Sequence, residues 1–286
     1  MLPRRGTDGT LPLNNPLLPS SNPIVISAGL VGLEPVLEVV RTLLWTGQVA
    51  GERPASAIIC APIGSGKTSV LEKLETDVAK FYSDFTSQHA REILRNEKLT
   101  HIMIGDLLSV LGHKTGTVKL SMNLLSKMTG DRITTDPWTG DPLPGRRIGV
   151  ITAVPPEELF SRKLHSVLWA GGFASRYIIV RYDYDKTTVR RIHDYIKSDA
   201  YTRELPMPLR IDRGEIAVEI PTEIAEKIRL LAGQIKNDEI GARAHKHLRA
   251  LVKARARMRK DNKANDRDFH DIEIISDFMT RGGRII

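Results

Sequence analysis

An α/β fold, with a five-stranded parallel sheet flanked by helices and followed by a C-terminal α-helical domain, is predicted by three observations. Short apolar runs alternate with helical patterns from about residue 57 to 184, a glycine-rich turn joins the first run to a helix, and the chain beyond about 187 reads as mainly helical. A length of 286 residues suits one large α/β unit with a smaller companion. Hydrophobic residues make up 41% and charged residues 27%, which excludes a disordered chain. No apolar run approaches the roughly 18 to 20 residues that span a bilayer, so no membrane partner is expected. The segment after Met1 is broken by Gly, Pro and Asn and does not read as a signal peptide, so a cytoplasmic location is expected.

Residues 1–23, rich in Pro, Asn, Gly and Ser without periodicity, predict an extended arm. From Gly32 to Leu44 apolar residues recur at helical spacing, with Pro35 tolerated in the first turn. Ala57 to Cys60 is a continuous apolar run, the profile of a buried parallel strand. The lone cysteine, Cys60, lies in this run and is expected to be an inert core thiol. Helices are predicted at 69–79, 87–97, 117–128 and 156–169, and strands at 80–85, 101–105, 147–154 and 176–184. The polar stretch from Asp131 to Gly145 predicts a long loop or hairpin, and a short strand or hairpin is expected near 208–220. There is no internal repeat.

The stretch Ala61-Pro62-Ile63-Gly64-Ser65-Gly66-Lys67-Thr68, followed by Ser69, matches the P-loop pattern with Ala for the first Gly. It sits between a strand and a helix, as phosphate binding requires. Gly64 and Gly66 let the backbone curl so that successive N–H groups face phosphate oxygens. Lys67 is predicted to reach the β- and γ-phosphates of ATP, and the Thr68 hydroxyl to ligate Mg²⁺. An apolar strand ending in Asp106 supplies the second metal ligand, the Walker B position. An acid there can also simply cap the next helix.

With both motifs placed, residues 24 to 280 resemble the AAA+ superfamily, and in detail the branch containing the MCM helicases. Gly29-Leu30-Val31-Gly32-Leu33-Glu34 resembles the N-terminal box that contacts adenine. Arg147 to Ala153 is similar to the strand ending in the sensor-1 residue, which makes Thr152 the expected monitor of the γ-phosphate or attacking water. Gly172 to Tyr177 is similar to the element that carries the arginine finger, which implies Arg176 as a residue acting in a neighbouring copy. The run from Arg243 to Arg259 is similar to the lid helix bearing sensor 2, with Arg243 at the sensor position. The resemblance implies a nucleotide-binding core over 24–186, a helical lid domain over 187–286 and assembly into a homo-oligomeric ring, a hexamer before other sizes, or a filament. One position departs from the family: where a glutamate follows the Walker B aspartate, this chain has Leu107. Either Asp84, at the end of a strand expected beside that of Asp106, supplies the missing carboxylate, or hydrolysis is slow and the protein acts as a switch. Asp84 can equally cap the helix at 87–97.

A net charge of +8 and nine Lys or Arg residues with two histidines against one acid, Asp261, between Gly241 and Lys263 point to a polyanion such as DNA. In that segment Lys246, Arg249, Lys253, Arg257 and Lys260 are expected on the side of a helix away from its apolar stripe, either binding phosphates or simply solvated. Arg132, Trp138, Arg146 and Arg147 lie where MCM-like proteins carry a pore hairpin, and suit either stacking on bases or a subunit interface. The expected activity is an ATPase that acts on DNA as a helicase, helicase loader or targeting factor, with a protein partner as a source of specificity. The alternative is a protein-remodelling ATPase of chaperone type.

Overall fold

The structure, a computed structural model, describes residues 30, 32–108, 115–130, 133–136, 139–159, 161, 168, 173–184, 186–198, 209–235 and 241–279. The expected arm at 1–23, Gly29, Val31, Arg132, Trp138 and Gly172 lie outside the described residues.

The central strand β1 (Ser56–Cys60) is buried along its whole length, as its unbroken apolar run demands. Around it stand β2 (Ala79–Tyr82), β3 (His101–Ile104), β6 (Gly149–Val154) and β7 (Tyr177–Arg181), in the order β2-β3-β6-β1-β7 and all parallel. β6 therefore lies between β3 and β1, with Thr152 level with Ile104 on one side and Ile58 on the other. All five carboxyl ends share one edge of the sheet, where sheets of this kind bind ligands.

Alternation along the strands divides the core. Ala57, Ile59, Met103, Ile151 and Ala153 face α1 (Glu34–Trp45) and α2 (Lys67–Lys73), whereas Ile58, Cys60, Ile104, Val150 and Val154 face α3 (Ser87–Arg95) and α4 (Thr115–Gly130). Between α4 and β6 the stretch expected as loop or hairpin is a two-stranded antiparallel hairpin, β4 (Ile133–Thr135) with β5 (Pro142–Arg146). α5 (Pro156–Leu159) comes directly after β6.

Local hydrogen bonds explain two departures from expectation. α2 stops at Lys73 because Thr76 closes a tight turn: its hydroxyl accepts from the N–H groups of Val78 and Ala79, and its own N–H donates to the Ala79 carbonyl. α3 is capped by Thr86, whose hydroxyl accepts from the His89 N–H, and not by Asp84. Near 208–220 the expected strand is reduced to single bridges, Val49 with Ile216 and Glu219 with Lys263.

The C-terminal helices are α6 (Lys186–Lys197), α7 (Thr222–Gln234), α8 (Gly241–Met258) and α9 (Asp266–Ser276). Leu248, Leu251 and Val252 of α8 and Ile272 and Ile275 of α9 join the same apolar cluster as α1 and one face of the sheet. The basic run of α8 is only partly the solvated face expected of it: Lys246 and Arg249 are exposed, as is Lys260 just beyond the helix. Lys253, Arg255 and Arg257 are buried. Arg255 bonds Glu38 of α1 and Asp271 of α9, Lys253 meets Glu52 at 2.8 Å, and the Arg257 guanidinium lies 5.4 Å from the centre of the Trp45 ring. Burial works against the Arg255 charge, but the two carboxylates outweigh it and hold the guanidinium above its ordinary range. Arg249 pairs with Glu52 at 3.1 Å, and Lys260 with Asp212 at 3.6 Å. The acids missing from the local sequence come from distant segments. Arg146 also serves the fold, donating to the carbonyls of Ile93, Asn96 and Leu99 at the end of α3.

Close packing fixes the start of β6. A Cβ on Gly149 would stand 2.3 Å from the His101 ring and 2.8 Å from the Ala55 carbonyl. His101 is fully buried, and its imidazole is pushed down to about 3 by that burial, so it stays neutral. Gly149→Ala is expected to destabilise the protein by about 3 kcal/mol through overpacking, read from urea denaturation.

Candidate nucleotide site

The loop after β1 is held in a curl by left-handed backbone at Gly64 and Gly66, with φ of 77° and 79°. The Lys67 ammonium donates to the carbonyls of Ala61 and Pro62, at 2.6 Å each, so the cation sits inside the curl. Burial lowers the Lys67 pKa, while the charges of Asp106 and Glu157 act in the opposite direction. Both carboxylates therefore lie in the electrostatic reach of this lysine. The neighbouring thiol of Cys60 is pushed up to about 11 by burial, which makes it inert at neutral pH.

Two tyrosines brace the loop from the chain beyond β7. The hydroxyls of Tyr182, at 3.0 Å, and Tyr184, at 2.5 Å, both donate to the Ser65 carbonyl, and the Ser65 side chain is buried. Burial raises both phenols, Tyr184 to about 12, so both remain donors. No local pattern signals this brace, because the two residues stand 117 and 119 positions from Ser65.

Thr68 opens α2 and turns toward β3, its hydroxyl donating to the Gly105 carbonyl at 3.3 Å. A Cβ on Gly105 would meet the Thr68 methyl at 3.3 Å and the Phe81 ring at 3.0 Å. The expected metal ligands thus come from elements in direct contact. Asp106 is exposed and accepts from the Leu108 N–H at 2.9 Å, while Leu107 is fully buried. A hydroxyl and a carboxylate are the hard oxygen donors that suit Mg²⁺ in partnership with phosphate oxygens. Among the described residues no group of three His, Cys, Asp or Glu side chains could hold a metal by itself.

The other candidates come from different strands. Thr152 is fully buried in the sheet, and its hydroxyl has no hydrogen-bond partner among the described residues. Asp84 lies past the edge strand β2 and accepts from the Phe85 N–H at 2.7 Å.

Beside the loop lies a cavity of about 580 Å³ that the sequence signals only through the N-terminal box. It is lined by Leu30, Leu33, Gly64, Gly66, Tyr184 and Ile192, among others. Gly66 is required here: a Cβ would come within 2.9 Å of Leu33. An apolar slot opening directly onto a phosphate loop has the shape and chemistry for a nucleobase.

The two arginines sit at the other edge of the sheet. Arg176 immediately precedes β7, at its amino end, and Arg243 at the start of α8 donates to the hydroxyl of Ser175. Gly130, at the end of α4, makes room for Arg176, since a Cβ there would stand 2.7 Å from its Nε. With Arg53, Arg147 and Lys246 they line a cavity of about 420 Å³. His247 also lines it and is held down to about 4 by burial, with Arg243 and Arg53 adding to the effect. The structure thus brings Lys67, Thr68 and Asp106 together and places Arg176 and Arg243 with each other, away from the loop.

No family model and no curated protein matches the chain. Among solved structures it is similar to a full-length MCM homolog from Methanopyrus kandleri, at 15% identity and a TM-score of 0.52. The match covers 88% of this chain and 57% of that one, so the chain spans little more than half the length of that protein. A likeness at this level is one of fold, and it carries the five-stranded parallel sheet with its flanking helices.

Proposed function

We propose that the protein is an oligomeric AAA+ ATPase that binds ATP and Mg²⁺ between copies of itself and acts on DNA. One observation carries the reading: phosphate loop, metal ligands and base cavity meet at the carboxyl edge of the sheet, while a basic cavity with two arginines stands at the amino edge. The first half holds a nucleotide. The second half complements it only if it comes from a neighbour.

In this scheme Pro62, Gly64, Ser65, Gly66, Lys67, Thr68 and Ser69 hold the phosphates, with Tyr182 and Tyr184 fixing the loop. Thr68 and Asp106 hold Mg²⁺, whose chemistry is to neutralise and orient the β- and γ-phosphates. Thr152 would report on the γ-phosphate across the carboxyl ends of β3 and β1. Arg176 and Arg243 of a neighbouring copy would neutralise charge that develops on the transferring phosphoryl group. Ile63, at the tip of the loop and 85% exposed, would be covered by that neighbour. A hexameric ring or a filament satisfies the geometry.

DNA as the substrate is supported by the net charge of +8. Within α8, Arg249, Lys253 and Arg255 add little to that support, because they are already paired with Glu52, Glu38 and Asp271. A helicase, a helicase loader and a DNA-targeting factor all fit. Filter binding of labelled single-stranded and duplex DNA, with a non-hydrolysable ATP analogue at low and moderate salt, tests the substrate. Affinity is expected to fall steeply as salt rises, since phosphate contacts release counterions. Absence of binding at low salt would instead favour a protein-remodelling ATPase.

A further inference from the structure

An ATPase of this design needs a carboxylate to take a proton from the attacking water, and the position after the Walker B aspartate cannot supply it. Leu107 is fully buried among Ile104, Phe85 and other residues of the apolar cluster beneath the sheet. The remaining acids at the carboxyl edge can be separated by the strand order.

The reacting γ-phosphate must lie between the loop of β1, which carries Lys67, and the end of β3, which carries Asp106. Thr68 ties these two ends together through its bond to Gly105. The strand between β1 and β3 is β6. Val154 closes β6 level with Cys60, and its carbonyl accepts from the Ala61 N–H at 3.4 Å, so the chain leaves β6 directly beside the phosphate loop. It continues as Pro155-Pro156-Glu157-Glu158, a single helical turn pinned by Leu159, which is fully buried. Glu157 is exposed on that turn.

We propose that Glu157 is the general base, a carboxylate delivered from the turn after β6 to the water that attacks the γ-phosphate. The assignment rests on the ATPase reading above and deepens it. In the step, the water oxygen forms a bond to the γ-phosphorus as the bond from that phosphorus to the β,γ-bridging oxygen breaks. ADP leaves with the bridging oxygen, and Glu157 takes one proton from the water and later releases it to solvent. Atoms and charge then balance as ATP and water giving ADP, phosphate and a proton.

Position favours Glu157 over the competitor. Asp84 follows β2, on the outer side of β3, whereas Glu157 follows β6, the strand that lies between β3 and β1. The Asp84 carboxylate is also engaged with the Phe85 N–H. The influence of Glu157 on both Lys67 and Cys60 agrees with its place at the loop.

The test compares wild type, Glu157→Gln, Glu158→Gln and Asp84→Asn in the full chain, assembled with a DNA oligonucleotide. ATP affinity is followed by titration with a fluorescent ATP analogue, and phosphate release by a coupled assay across pH 5 to 9. Glu157→Gln is expected to bind ATP within about threefold of wild type and to lose about 10²- to 10⁴-fold in turnover, the worth of general-base assistance. Glu158→Gln should turn over as wild type does. Turnover retained by Glu157→Gln, or lost in Asp84→Asn with Glu157→Gln active, overturns the assignment alone. ATP binding without any wild-type turnover would overturn hydrolysis and the base together.

Discussion

Lys67→Ala is expected to abolish turnover and to weaken ATP binding by about 100-fold or more. The ammonium is half-buried and already held at the centre of the loop by the carbonyls of Ala61 and Pro62. On binding it exchanges two neutral acceptors for phosphate oxygens. Each charge-assisted hydrogen bond is worth about 1.5 to 3 kcal/mol, so losing two of them accounts for an effect of this size. Neither Arg176 nor Arg243 of the same copy can substitute, because both are at the far edge of the sheet. Titration with a fluorescent ATP analogue checks the affinity. An unchanged affinity would mean that the loop does not grip a triphosphate.

Arg176→Ala is expected to lower turnover about 10³- to 10⁵-fold, the range for an arginine finger, while ATP affinity changes little. The reason is topological. Arg176 stands at the amino end of β7, whereas the phosphate loop leaves the carboxyl end of β1, and five residues of strand separate the two edges by about 17 Å. A side chain cannot cross that distance through a packed sheet, so the finger can serve only a neighbouring copy. The consequence is complementation: Lys67→Ala and Arg176→Ala chains, each inactive alone, should regain part of the wild-type turnover when mixed. Some interfaces in the mixture then pair an intact loop with an intact finger. Mixed chains that stay inactive, or Arg176→Ala protein with full turnover, would refute an active site shared between copies.

Reading the chain in order was enough wherever the physics was local. A continuous apolar run feeding a glycine-rich turn had to be a buried strand. Two left-handed glycines before Lys67 had to curl. The loop and the individual strands and helices come from such short-range patterning, with helix ends moved a few residues by caps such as Thr86 and turns such as Thr76.

Tertiary structure alone decided which charges are neutralised and which edge of the sheet each group occupies. Arg255 meets Glu38 from 217 positions away, and Lys253 meets Glu52 from the segment that leads into β1, so an apparently unopposed basic helix is largely paired. Glu157 is an ordinary acid in a helical first turn until the strand order sets it beside the loop. Coulomb energy depends on distance in space, and in a folded sheet neighbours in space are set by crossover connections that no local pattern of residues records.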